Sequence, residues 1–133
     1  MNNADTLRYA RNILLKLHKL LIDAERAGYE RLHGELNAGQ YLNVLLEDQN
    51  FAWLRQFSML IVEIDEMFDL KDGISDEMVE GNLQKVRELV SMAGPDEAFR
   101  SKYRQAIQAD PEVAGTQAQL QGLLAKPFDM DEM

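Results

Sequence analysis

The sequence predicts an all-α fold: an antiparallel bundle of about five to six helices with a long N-terminal helix. Three observations predict it. Apolar residues recur at steps of three and four, as in Leu7, Ala10, Leu14, Leu17, Leu21 and again in Leu54, Phe57, Ile61, Ile64, Phe68. No segment sustains the two-residue alternation of a half-buried strand. Every break between apolar stretches carries helix-cap chemistry.

The first helix is expected from about Asp5, placed to cap its first turn, to about Leu32. His33 and Gly34 end it, since glycine suits the left-handed position past the last turn and histidine suits the negative end of the helix dipole. Roughly 28 residues at 1.5 Å each make a rod of about 42 Å, long for a domain of this size. Its main stripe is Leu7, Ala10, Leu14, Leu17, Leu21, Ala24 and Gly28, widened by Ile13, Leu20 and Ala27. A further line, Leu15, Ile22 and Tyr29, runs at seven-residue spacing with His18 among its members. The rod is therefore apolar around more than half its middle. It needs cover on two sides, from two neighbouring helices or from a second copy of the chain.

Asn37 caps a short second helix that carries Tyr41, Leu42, Val44, Leu45 and Leu46 and ends near Asp48. Asn50 is expected to cap the third, Phe51 to about Asp69, the other strong core helix. Ser75 caps the fourth, with Asp76 and Glu77 in the first turn. Met78, Val79, Leu83, Val86, Leu89 and Val90 are its apolar set, and Gly94-Pro95 is expected to stop it. The fifth begins at Pro95 or Asp96 and aligns Phe99, Tyr103, Ala106 and Ile107. At Asp110-Pro111 the aspartate caps and the proline takes the first position of the sixth helix. There Val113, Leu120, Leu123 and Leu124 stand among glutamines, and Lys126-Pro127 ends the helix. The first, third and fourth helices are expected to form the bundle, with the second as a bent connector and the last two appended. Residues 1–125 then make one domain, and 126–133 an acidic, mobile tail.

Cysteine is absent, which excludes a disulfide framework, a thiolate metal site and a cysteine nucleophile. The start, MNNADTLR, lacks a secretory signal pattern. The stretches ILLKLHKLLI and FSMLIVEI are too short and too interrupted to span a bilayer. A soluble, cytoplasmic protein with no membrane partner is expected. The formal net charge is −9, with a balance of +2 over residues 1–33, −8 over 34–93 and −3 over 94–133. A chain so acidic, with no basic stripe, is not expected to bind nucleic acid. It suits a basic protein partner.

Several groupings could carry chemistry. His18 and Glu25 lie two turns apart on one face of the first helix. That spacing allows a shared metal or proton, and equally a packed rim histidine satisfied by a carboxylate. Glu30 and His33 have the Glu-x-x-His spacing of di-iron bundles, but the second copy is missing and the pair sits at a helix end, where the dipole alone explains a histidine. The acids Glu63, Asp65, Glu66, Asp69, Asp72, Asp76, Glu77 and Glu80 include several that oppose the dipole at the end of the third helix. With Gly73 at loop position six the calcium-loop pattern fails, because Phe68, Leu70 and Val79 fall where acids are required. Arg8, Arg11, Lys16 and Lys19 are the expected offset if the first and third helices run antiparallel. Trp53 is expected to close one end of the core, with an exposed place in a partner site as the competing reading. Arg100, Lys102 and Arg104 read as a solvated face of the fifth helix. There is no GxSxG, no phosphate-cradling glycine loop and no HExxH. No catalytic, cofactor-binding or metal-ligating residue is assigned, and no cofactor is expected.

The segments LLKLHKLLIDAERAGYERLHG and FAWLRQFSMLIVEIDEM resemble parts of small, helical, uncharacterised bacterial proteins. Packing motifs carry this resemblance over about half the chain. It implies an all-helical fold and a bacterial, cytoplasmic setting, and no site residues.

The sequence thus points to action by protein–protein contact, as a homodimer whose interface centres on Leu15, His18, Ile22 and Tyr29. Histidine fits such a position because it tolerates apolar neighbours and water alike. The competing expectation is a small-ligand or metal-binding bundle, possibly an enzyme, with a pocket around His18 and the polar groups Glu25, Tyr29 and His33.

Overall fold

The chain was built as a computed structural model that describes residues 2–125; the acidic tail expected over 126–133 lies outside them. α1 runs Asn3–His33. Its cap is Asn2 and not Asp5: the Asn2 side chain accepts the Asp5 backbone N–H at 2.8 Å. Asp5 then sits in the first turn, where a carboxylate favours the positive end of the dipole. At the far end Gly34 takes φ 88°, a backbone state that costs glycine little, and its N–H closes on Glu30 O at 2.8 Å. α2, Ala38–Glu47, begins with a capping box between Asn37 and Gln40.

The chain does not restart at Asn50. The Asp48 carboxylate accepts the Asn50 N–H at 2.8 Å, so the next turn begins two residues early. It is a 3₁₀ segment, Gln49–Leu54, that runs directly into α3, Arg55–Phe68. α4 is Asp76–Val90 behind the Ser75 cap, and it ends before Gly94-Pro95 is reached. Met92 adopts φ 58°, its N–H bonds Leu89 O at 3.2 Å, and Ala93 N–H bonds Glu88 O at 3.1 Å. This is a Schellman closure with methionine in the position that usually falls to glycine; the Met92 side chain is half-buried against the core, which offsets the backbone cost. α5 is Glu97–Ala109 and α6 is Pro111–Leu124, capped by Asp96 and Asp110.

α1 is the central helix, and α3, α4 and α6 all pack along it. Side-chain pairings give their directions. Arg8 lies over Phe68, Arg11 bonds Asp65, and His18 stacks on Phe57, so α3 runs down as α1 runs up. Glu63–Lys85 and Met67–Asn82 make α4 antiparallel to α3. Val90–Gln117 and Arg87–Leu124 make α6 antiparallel to α4. The bundle therefore has four members, α1 and α4 pointing one way, α3 and α6 the other. α6 is one of them and not an appendage: Val113, Thr116, Gln117, Leu120 and Leu124 are buried. Two of those five are polar, so its inward face is weakly marked in the sequence. α5 lies outside the four and packs on α6 and the 3₁₀ segment.

Leu7, Ala10, Leu14, Leu17 and Leu21 of α1 are fully buried, as are Phe57, Ile64, Leu83, Val86 and Leu120 of its neighbours. Each such leucine contributes about 1.5–3 kcal/mol. The stripe stops there, with Ala24 exposed and Gly28 half-buried. The reason is length: α1 has 31 residues against 14 or 15 in α3, α4 and α6. Past their ends the 3₁₀ segment takes over the packing against α1. There Trp53, Phe57, Phe99 and Tyr103 form an aromatic cluster with ring centroids 5.3–6.3 Å apart. Trp53 is buried within it and closes that end of the core. Among the described residues no helix is long and apolar enough to cross a membrane.

Candidate functional site

Leu15, His18, Ile22 and Tyr29 share the side of α1 that faces α3 and the 3₁₀ segment, but they are not equally free. Leu15 is 43% exposed, while the other three are half-buried. The His18 ring stacks on Phe57 at 6.3 Å. Ile22 packs against the core. Tyr29 meets Phe51 edge-on at 6.1 Å and His33 at 4.3 Å. Most of the second apolar side of α1 is thus covered within the chain. Burial lowers the His18 pKa below its ordinary value, because the cation is poorly solvated there.

Glu25 is not a partner of His18. Its Oε1 accepts Trp53 Nε1–H at 3.0 Å and lies 3.6 Å from Lys102 Nζ. One carboxylate thereby ties α1 to the 3₁₀ segment and to α5. Lys102, expected on a solvated face, is drawn inward by that charge. Glu30 and His33 do not form a ligand pair either. Glu30 accepts the Leu36 N–H at 2.7 Å and pairs with Arg26 at 3.3 Å, which holds the exit loop of α1. Arg26 lies over the Tyr41 ring at 4.1 Å and so holds α2 beside α1. Burial there, together with the Asp23 carboxylate, raises the Tyr41 phenol above its usual range. Among the described residues no three His, Cys, Asp or Glu side chains converge closely enough to hold a metal ion.

A hollow of about 440 Å³ opens at this end of α1, lined in part by Glu25, Tyr29, His33, Asn50, Phe51 and Lys102. Three of the four polar groups expected to share one pocket therefore do so: Glu25, Tyr29 and His33. His18 is not in its lining.

Of the four α1 cations expected to offset the acidic end of α3, Arg11 alone forms an ion pair with it among the described residues. Arg11 grips Asp65 with two bonds of 2.8 Å. These bonds hold the Asp65 carboxyl below its ordinary pKa and raise that of Arg11. Arg8 covers Phe68 at 4.0 Å. Lys19 pairs instead with Asp23 of its own helix, at 3.7 Å.

A second hollow, of about 990 Å³, runs along the outer side of α3 against α4 and the turn into α5. Leu60, Leu89 and Phe99 form its apolar wall, with Met59 and Val62 at its edge, 70% and 53% exposed. Glu63, Glu66, Glu88 and Asp96 line it as well. Lys85 is the one cation in its lining among the described residues, and it is paired with Glu63. Asp96 caps Phe99 N–H at 3.1 Å and accepts from Gln56 at 3.3 Å, which pins the turn over the end of the groove. Met59 and Val62 lie off the buried stripe of α3. A large apolar residue on the outer face of an amphipathic helix is the sequence signal for such an edge.

The chain matches no protein-family model, no curated protein and no solved structure. Its class is set by its own architecture: a four-helix bundle with two accessory helices and an acidic groove that has an apolar wall.

Proposed function

We propose that the protein works in a bacterial cytoplasm by protein–protein contact, with a second copy of itself as a partner. One observation carries this reading: Leu15 and Val62 are large apolar side chains left exposed on neighbouring helices. Leu15 follows Arg11 by one turn on α1, and Val62 precedes Asp65 by about one turn on α3. The Arg11–Asp65 bond therefore sets Leu15 and Val62 at one level of the same seam. Fully burying such a side chain is worth about 1.5–3 kcal/mol, and these two are already half-covered, so sealing the seam contributes about 2 kcal/mol per copy. A two-fold axis beside Leu15 lets each copy cover the other. Sedimentation velocity at micromolar concentration tests it. The expected result is a dimer for the native chain and a monomer with unchanged helicity for Leu15→Glu. A native chain that stays monomeric ends the dimer reading.

The hollow at the end of α1 favours a second reading, a small-ligand site using Glu25, Tyr29, His33 and Lys102. Ligand-dependent Trp53 emission supports it.

A further inference from the structure

We infer that the groove along α3 and α4 seats an amphipathic helix from a partner protein, and that the flank of that helix is basic. This rests on the reading that the protein acts by contact, and it adds the chemistry of the partner. The groove is bounded by two antiparallel helices, so it is elongated in the way that accepts the apolar face of a third. Leu60, Leu89 and Phe99 supply the apolar wall, and Met59, exposed and unbranched, can adapt to different side chains.

The rim selects the partner. Glu63, Glu66, Glu88 and Asp96 stand on it with Lys85 alone against them. Lys85 is committed to Glu63, while Glu66 and Glu88 form no ion pair among the described residues. Charge complementarity disfavours the other occupants of this groove. A second copy carries net −9, and residues 126–133 bring Asp129, Asp131 and Glu132 against one lysine. Either would set negative charge on a negative rim. A helix with an apolar stripe flanked by lysine or arginine satisfies both the wall and the rim.

The test is a titration with a synthetic leucine–lysine helix of about 14 residues, which matches the length of α3 at 1.5 Å per residue. Two controls accompany it: a peptide of the same composition ordered so that no apolar face forms, and a leucine–glutamate counterpart. Fluorescence anisotropy of the labelled peptides reads the affinity. The leucine–lysine helix is expected to bind at micromolar concentration, one per chain, and the controls are not. The pair Glu66→Lys and Glu88→Lys, both exposed, is expected to weaken binding about tenfold or more. The pair Asp72→Lys and Glu77→Lys, outside the groove lining, is expected to change it less than about threefold. No binding, equal binding of the faceless peptide, or equal loss from both variant pairs overturns the inference. Sedimentation of the same samples separates the two readings. A dimer that ignores the peptide defeats the groove alone, and a monomer that ignores it defeats both. A monomer that binds it at the groove upholds the inference and removes only the dimer.

Discussion

Replacing Tyr103 with phenylalanine removes one hydroxyl group from the interior and tests how α6 is held in the bundle. Tyr103 is fully buried. Its hydroxyl donates to Gln117 Oε1, and Gln117 Nε2 donates to Val90 O at 2.5 Å. Two successive bonds thereby join α5, α6 and the end of α4. Phenylalanine keeps the ring contacts with Trp53, Phe57 and Phe99, so the loss is confined to the bond and to a buried Gln117 oxygen left without a donor. That costs about 1–3 kcal/mol. At about 2.1 cal/mol/K per residue, a chain of this length unfolds with an entropy of about 0.28 kcal/mol/K, so Tm falls by about 4–11 °C. Gln117→Leu strands both the Tyr103 hydroxyl and Val90 O, and costs more. The double variant strands Val90 O alone, so its cost falls short of the sum of the single ones by about 1 kcal/mol or more. Urea titration followed by the emission of Trp53, the one tryptophan, measures all three. Burial also raises the Tyr103 phenol pKa, which keeps the donor protonated across the neutral range. A Tyr103→Phe variant within about 0.5 kcal/mol of the native chain, with additive costs, refutes the coupling.

Glu25→Ala removes the acceptor from Trp53 Nε1–H and is expected to shift Trp53 emission and cost about 1–3 kcal/mol, whereas Glu25→Gln keeps an acceptor and recovers most of the loss. His18 gives a pH dependence. Its folded pKa is lowered, so the unfolded chain takes up the proton first as pH drops below about 6.5; stability is complete above that value and is lost as pH falls through the folded pKa. Tm measured through this range is expected to show that slope in the native chain and a flatter one in His18→Leu. The Arg11–Asp65 pair, 28% and 44% exposed, is expected to yield a coupling of about 0.5–1 kcal/mol in a double-mutant cycle at low salt, and less at high salt. Because the Asp65 pKa is lowered, that coupling is present above the usual carboxylate range and disappears as pH falls through the folded value.

Much of the architecture is written locally. The caps at Asn37, Ser75, Asp96 and Asp110 lie in the sequence beside the turns they start, since a cap needs only a polar side chain within three residues of a free N–H. The same locality explains the differences: Asn2 and Asp48 stand two or three residues ahead of Asp5 and Asn50, each pair offers two polar side chains able to start the turn, and backbone geometry decides between neighbours. The surface is less legible. The Trp53–Glu25–Lys102 hub joins residues far apart in the chain, and no spacing rule relates them. His18 lacked an identifiable neighbour until α3 placed Phe57 against it.

By itself, the sequence determined which segments are helical, where most of them begin, and that the first is too apolar at its middle for a single neighbour, because periodicity and capping act over a few residues. Only the tertiary structure decided that α6 supplies the third neighbour, that Glu25 turns to Trp53, and that Met59 and Val62 edge an acidic groove. Those outcomes depend on which faces meet when four helices of unequal length close around one core, and packing at a distance leaves no local mark on the chain.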